Sequence, residues 1–227
     1  MFLSFILVFH ICAGAIALLA GYSVIIAKKG QLAHKYLGRV YVVAMLALGL
    51  TGTYIAVTRE IPLSVLNGLV LCYFVLSALN TIWQAPKKTD VWDKLLFVLV
   101  ILITMGFVWY SYLATQVEGG KLGGFGIEAY MVFGSVMFLC CAGDFRYLKS
   151  GGLSGNSRLV RHLWRMFFPL LMSTAAFFLG QAKHLPESIQ RIELLLLPVV
   201  LVVLTTIYWI TKMQLKKIKT KAKKGLV

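Results

Sequence analysis

The sequence is short of charge, and above all of acidic residues. Only 14% of its 227 residues are charged, and 8 Asp and Glu stand against 23 Lys and Arg. Charged residues make up about a quarter of a soluble domain. The glutamates offer no paired-carboxylate geometry for acid–base catalysis. No glycine-rich phosphate loop, nucleophile elbow, zinc-protease helix or Cys-x-x-Cys pair occurs, so any chemistry would belong to a bound cofactor.

Cysteine is also scarce, and its positions argue against an external disulfide framework. All four cysteines lie inside apolar segments, at Cys12, Cys72, Cys140 and Cys141. Because none has paired spacing in a loop, they are typical of small apolar core residues rather than of disulfides or a zinc site.

Apolar sequence is what the chain has in abundance, with 59% hydrophobic residues and a mean hydropathy of +0.83. Runs of membrane-spanning length recur along it, which predicts an all-α polytopic transmembrane helical bundle. The predicted spans are about 2–27, 37–57, 62–83, 91–114, 125–142, 161–182 and 192–211. Together they form a single transmembrane domain, 1–214, followed by a polybasic cytoplasmic tail, 215–227.

The net charge of +15 follows membrane topology rather than a nucleic-acid surface. Nineteen of the 23 basic residues fall on alternate loops and the tail, the exceptions being Arg59, Lys121, Lys183 and Arg191. The positive-inside rule then predicts an N-terminus outside and a C-terminus in the cytoplasm of a bacterial inner membrane. Seven lysines over Lys212–Lys224 suit anionic lipid headgroups. A membrane-protein partner or a second copy is also expected, and nucleic acid is not.

Four histidines are the main candidates for a functional site. His10 and His34 bracket the first apolar segment, and His162 and His184 bracket a helix predicted over 158–186. These last two are 22 positions apart, which leaves them only about 40° out of line on a helix with a rise of roughly 33 Å. One helix would therefore carry an imidazole near each membrane surface.

Two imidazoles that face each other across a helical bundle are what a six-coordinate b-type haem requires. The histidines predict an inner pair, His34 with His162, and an outer pair, His10 with His184, all four as haem-iron ligands. Two such sites would make a transmembrane electron-transfer protein. A stripe of small residues below His10 would let a porphyrin approach the backbone. That stripe consists of Gly14, Ala17 and Gly21.

Depth matching favours the inner pair. His10 lies roughly 10 Å inside the outer boundary, whereas His184 is at or beyond the end of its own helix. His34 is expected in an inner loop rather than on a helix. The alternative is that the other histidines are interfacial polar groups and His10 is a hydrogen-bonded core residue.

A group of basic residues surrounds His162. Arg158, Arg161, His162 and Arg165 share one helix face by their spacing. Arg161 and Arg165 would bind haem propionates, a lipid phosphate or another anion. The alternative is a positive-inside signal with snorkelling side chains. Arg165 lies one helical turn inside the apolar run, so its charge requires a partner. Asp144 is the predicted partner, in a structural ion pair.

The alternative functions come from other classes. A non-enzymatic protein that binds or transports a small anion or lipid would use the arginine face of span six. A structural membrane subunit would use its small-residue stripes to dock a partner helix.

The opening of the chain resembles a known family. His10, Gly14, Gly21, Lys29-Gly30, His34-Lys35 and Gly38-Arg39-Val40-Tyr41 follow the pattern of the domain-of-unknown-function family 2306 of bacterial multipass membrane proteins. The blocks GDFRYLKSGGLSG, RHLWRM and FFLGQ look like the same sort of protein. The resemblance implies a multipass membrane fold and a role for His10 and His34, and it assigns no activity.

Overall fold

The computed structural model describes residues 2–222, and the side chains of 3–215, as a bundle of seven long helices. Their bounds are α1 Phe2–Ile26, α2 Leu32–Thr58, α3 Pro62–Trp83, α4 Val91–Gln116, α5 Ile127–Lys149, α6 Gly155–Phe178 and α7 Ile192–Ala222. A small antiparallel hairpin, β1 Lys121–Leu122 with β2 Phe125–Gly126, lies between α4 and α5. The predicted all-α class is confirmed.

All the helices except α6 are long and apolar enough to cross a membrane. Helix α6 has the length, about 36 Å for its 24 residues, but its first half is basic. Those basic side chains do not need lipid contact, because Arg161 and Arg165 are buried inside the bundle. The chain is a polytopic membrane protein.

Two hydrophobic clusters hold the helices together. One joins α1, α2, α6 and α7 around Ala17 and Met45. The other joins α3, α4 and α5 around Tyr73 and Phe107. Helix α3 connects the clusters because it packs on α2, α4 and α6, whereas α5 packs mainly on α4. Helices α5 and α6 therefore meet chiefly through long side chains.

We call the two ends of the bundle the basic end and the far end. The basic end consists of the loops 27–31, 84–90 and 150–154, and the far end of the loops 59–61, 117–126 and 179–191. At the basic end the Lys87 N–H donates to the Leu153 carbonyl at 3.1 Å. At the far end a Cβ on Gly123 would lie 2.8 Å from Pro62. That the basic end faces the cytoplasm stays a prediction.

Several helix boundaries differ from those predicted, and three of them bear on candidate residues. Helix α6 ends at Phe178. Just beyond it the backbone of Gly180 lies against the carbonyl group of Ala176, so that a Cβ on Gly180 would be 2.5 Å from that oxygen. Helix α2 begins at Leu32, because Gly30 at φ 81° completes the preceding turn early. The placement of His34 in a loop is therefore wrong. Helix α5 continues to Lys149 rather than ending near 142, so Asp144 lies on it.

The polybasic tail falls largely outside the described side chains, which end at residue 215. Helix α7 carries the backbone as far as Ala222. The expected contact of this tail with anionic lipids stays a prediction.

Candidate functional site at the basic end

One buried carboxylate holds two arginines at the basic end. Asp144 on α5 is 3% exposed, and Arg161 and Arg165 on α6 are 9% and 1% exposed. Asp144 Oδ1 accepts from Arg161 Nη2 at 2.9 Å and from Arg165 Nη2, while Oδ2 accepts from Arg165 Nη1 at 3.4 Å. The Tyr73 hydroxyl on α3 donates to Oδ2 at 2.6 Å. Both carboxylate oxygens are thus satisfied, and three helices are tied together.

The two arginines find further partners within the protein. Arg161 lies over the ring of Tyr147, 4.0 Å from its centroid. It also donates to the Ser77 carbonyl at 3.2 Å and to the Thr81 hydroxyl. Arg165 Nε is buried without a hydrogen-bond partner. Since all the hydrogen bonds that the two guanidiniums make are to protein groups, the pair joins helices and does not present a face to an anion.

Arg158, the third arginine of the basic face, caps helix α3. Its guanidinium donates to the carbonyl oxygens of Thr81 at 2.8 Å and Ile82 at 2.6 Å, and to that of Gln84. The last carbonyls of a helix lack partners within it and carry partial negative charge, so a cation there is stabilising. Every arginine of the predicted anion-binding face therefore already has an acceptor in the protein.

Two further carboxylates face this cluster. Asp90 caps α4: the Asp93 N–H donates to Asp90 Oδ1 at 3.0 Å, and the Asp90 N–H to Asp93 Oδ2 at 3.1 Å. Asn80 Nδ2 donates to both carboxylates, at 2.8 Å to Asp93 and 3.2 Å to Asp90. Burial alone would raise the pKa of Asp90, but the hydrogen bonds from Asp93 and Asn80 hold it below its ordinary value. Asp93 also interacts electrostatically with Arg161.

Sequence reasoning missed Tyr73 and Asp93 as members of this network. A signal exists for Tyr73, because it lies seven positions before Asn80 and so shares a face of α3 with it. Polar side chains at that spacing in an apolar span indicate a polar contact with another helix. Asp93 has the weaker signal of standing three residues after a capping aspartate.

Both inner histidines lie near the basic end, in the first turns of their helices. His34 on α2 and His162 on α6 lie close enough to interact electrostatically. His162 Nδ1 is 3.0 Å from the Ala78 carbonyl oxygen. Since a carbonyl can only accept, Nδ1 carries the proton and Nε2 keeps its lone pair. His34 Nδ1 is buried and makes no hydrogen bond of good geometry, although the Val24 carbonyl lies near the ring.

The far-end histidines are placed differently. His10 Nδ1 lies 2.9 Å from the Thr51 hydroxyl on α2, which itself donates to the Ala47 carbonyl at 2.6 Å. Thr51 therefore accepts from His10. His184 ends a single 3₁₀ turn in the far-end loop and is exposed. The prediction that one helix carries both His162 and His184 is wrong, because α6 ends six positions earlier, at Phe178.

The small-residue stripe of α1 is filled by the protein itself. A Cβ on Gly14 would lie 3.3 Å from Leu48, and one on Gly21 would lie 2.7 Å from Leu170 and 2.9 Å from Tyr41. These side chains come from α2 and α6. The stripe allows close helix packing, and the described arrangement gives a porphyrin no space against it.

A family model matches the first part of the chain. It is described as "Predicted membrane protein (DUF2306)" and matches residues 7–89, which contain His10, His34 and helices α2 and α3. The resemblance is thereby confirmed over this part of the chain, whereas the GDFRYLKSGGLSG and RHLWRM blocks lie beyond the match. No curated protein and no solved structure matches the chain significantly.

Proposed function

We propose that this integral membrane protein binds a b-type haem at the basic end, with His34 and His162 as axial ligands, and carries electrons through it. The main support is that imidazoles from two different helices lie at the same end of the bundle, within range of electrostatic interaction, with His162 Nδ1 bound to the Ala78 carbonyl. Histidines that bind metals commonly donate their other ring N–H in this way, which fixes the tautomer and the ring orientation. In this tautomer Nε2 of His162 is the atom that would bind iron.

The orphaned nitrogen of His34 agrees with a missing ligand. Buried polar atoms without a partner are uncommon and costly, so each suggests a group that would supply one. Among the described residues, His34 Nδ1 is one of few such atoms, together with Asn67 Oδ1 and Arg165 Nε. His34 is the one of these that lies beside a second potential ligand.

Positive charge stands next to both imidazoles. Lys29 interacts electrostatically with His34, and Arg158 with His162. Both side chains already donate to backbone carbonyls, so they would favour the two carboxylates of a haem through their positive charge rather than through new hydrogen bonds. A haem so held supplies one-electron oxidation and reduction.

The far-end pair does not enter the proposal. His10 donates to Thr51 and packs against Gly52 on α2, where a Cβ would lie 3.1 Å from the imidazole. His184 is exposed on a loop. We therefore propose one haem at the basic end rather than one at each end.

An absorbance spectrum of the detergent-purified protein, oxidised and then reduced with dithionite, tests the proposal. We expect a Soret band and sharp reduced α and β bands. His34→Ala and His162→Ala should each lose most of the haem, because six-coordination needs both imidazoles. His184→Ala is the matched control and should keep the full spectrum.

Two results would contradict the proposal. One is a colourless protein from cells supplied with iron and a haem precursor. The other is a spectrum that survives in the double variant His34→Ala/His162→Ala, which would assign the haem to other ligands.

A further inference from the structure

The first turns of α2 form an open groove at the basic end, outside the buried polar network. It has a volume of about 440 Å³ and is lined by Leu32, Ala33, Lys35, Tyr36 and Arg39. Leu32 is 84% exposed and Tyr36 is 67% exposed. The surface combines apolar side chains with two cations one helical turn apart on the same face.

The two cations of this groove lack the partners that the neighbouring basic residues have. Within residues 3–215, no carboxylate pairs with Lys35 or Arg39, and neither side chain donates a hydrogen bond to the protein. Lys29, by contrast, donates to the carbonyls that end α1, and Arg161 donates to Asp144. The positive charge of the groove is therefore directed outward and uncompensated.

The position of the groove indicates what compensates it. Leu32 is the first residue of a helix long and apolar enough to span a membrane, so the groove lies where the hydrocarbon region gives way to headgroups. Tyrosine is typical of that depth, and basic residues there attract anionic lipids. We propose that the groove binds the headgroup and glycerol region of an anionic phospholipid, with Lys35 and Arg39 on the phosphate and Leu32 and Tyr36 on the apolar part.

Native mass spectrometry of the full chain in mild detergent, with phosphatidylglycerol or phosphatidylcholine added, tests this proposal. The protein should retain phosphatidylglycerol in preference to phosphatidylcholine. Direct contact of one basic side chain with the phosphate should contribute about fivefold, so Lys35→Gln/Arg39→Gln should weaken phosphatidylglycerol binding by roughly thirtyfold.

Two further variants separate the groove from general surface charge. Lys87→Gln/Lys88→Gln removes two exposed cations from the same end of the bundle and should change binding less than twofold. Ala33→Trp keeps both cations but fills the groove, and it should weaken binding as much as the charge variant does.

Three outcomes would overturn the proposal. The first is equal loss in Lys35→Gln/Arg39→Gln and Lys87→Gln/Lys88→Gln, which would indicate surface charge alone. The second is unchanged binding in Ala33→Trp. The third is displacement of the lipid by millimolar inorganic phosphate, which would assign the site to a free anion. All three are independent of whether the protein binds haem.

Discussion

At the basic end of the bundle, charged side chains bridge helices whose backbones stay apart, whereas in the far half glycines bring two backbones into contact. Asp144 on α5 reaches Arg161 and Arg165 on α6 through side chains alone. Towards the far end, a Cβ on Gly49 of α2 would lie 2.8 Å from the carbonyl oxygen of Gly68 on α3. One bundle thus uses two kinds of helix association.

The difference follows from what each kind of contact can do in a membrane. Lipid tails are as apolar as apolar side chains, so the hydrophobic effect does not drive helix association inside a membrane. Helices associate there through close packing of small residues or through hydrogen bonds between polar groups. Small residues allow packing only where the backbones meet. Long charged side chains can fasten helices such as α5 and α6 across a gap, provided that every charge has a partner. The two regions should therefore fail under opposite kinds of substitution.

Removing the central carboxylate should have the largest effect. Asp144→Ala leaves two buried guanidiniums without their counter-ion, and breaking a buried ion pair in this way costs about 3–5 kcal/mol. Chemical denaturation in mixed micelles should therefore show a large loss of the free energy of unfolding.

The matched control is Glu193→Ala. Glu193 pairs with Arg191 at 4.0 Å on the surface, where the two side chains are 73% and 78% exposed. Exposed pairs contribute about 0–1 kcal/mol, so this variant should unfold almost as the unaltered protein does. Equal stability of the two variants would refute the role given to Asp144.

The sequence predicts the helices of both regions well, because long apolar runs have few alternatives in a membrane. It also predicts the cap at Asp90, since a capping residue and its helix are neighbours in the chain. The pairing of Asp144 with Arg165 can be proposed from the sequence, because a charged residue inside an apolar run needs a partner of opposite charge.

Contacts made by tertiary packing are harder to predict. Tyr73 and Asp144 are 71 positions apart, and no local pattern says that their helices face each other. The end of α6 before Gly180 and the turn at Gly30 are local features, but a glycine in the sequence does not by itself show that a helix ends or begins beside it. Those two boundaries decide that His184 leaves the helix of His162 and that His34 joins a helix.

Enlarging a glycine in the far half should have the next largest effect. A Cβ added at Gly49 would meet the Cys72 sulfur at 2.7 Å and the Gly68 carbonyl oxygen at 2.8 Å. Since the backbone atom cannot move aside, Gly49→Ala should push α2 and α3 apart, and overpacking costs about 1–3 kcal/mol. The same denaturation experiment measures this loss in the free energy of unfolding.

Gly38→Ala is the control for that substitution on the same helix. Nothing lies within 4 Å of a Cβ at Gly38, and alanine favours helix by about 1 kcal/mol over glycine. The expected result is unchanged or slightly increased stability. If both alanine variants behave alike, close backbone contact is not what joins α2 to α3.

The bond between His10 and Thr51 should have the smallest effect, although it also lies in the far half and joins two helices. A double-mutant cycle with His10→Ala and Thr51→Val isolates it, and polar bonds between membrane helices average about 0.6 kcal/mol. The glycine contacts already hold α1 and α2 near their partners, so the histidine adds only a neutral hydrogen bond. A coupling energy as large as the loss in Asp144→Ala would mean that polar groups dominate at both ends. A small coupling energy, with the absorbance spectrum of His10→Ala unchanged, would mean that strong polar association of helices is confined to the ion pairs of the basic end.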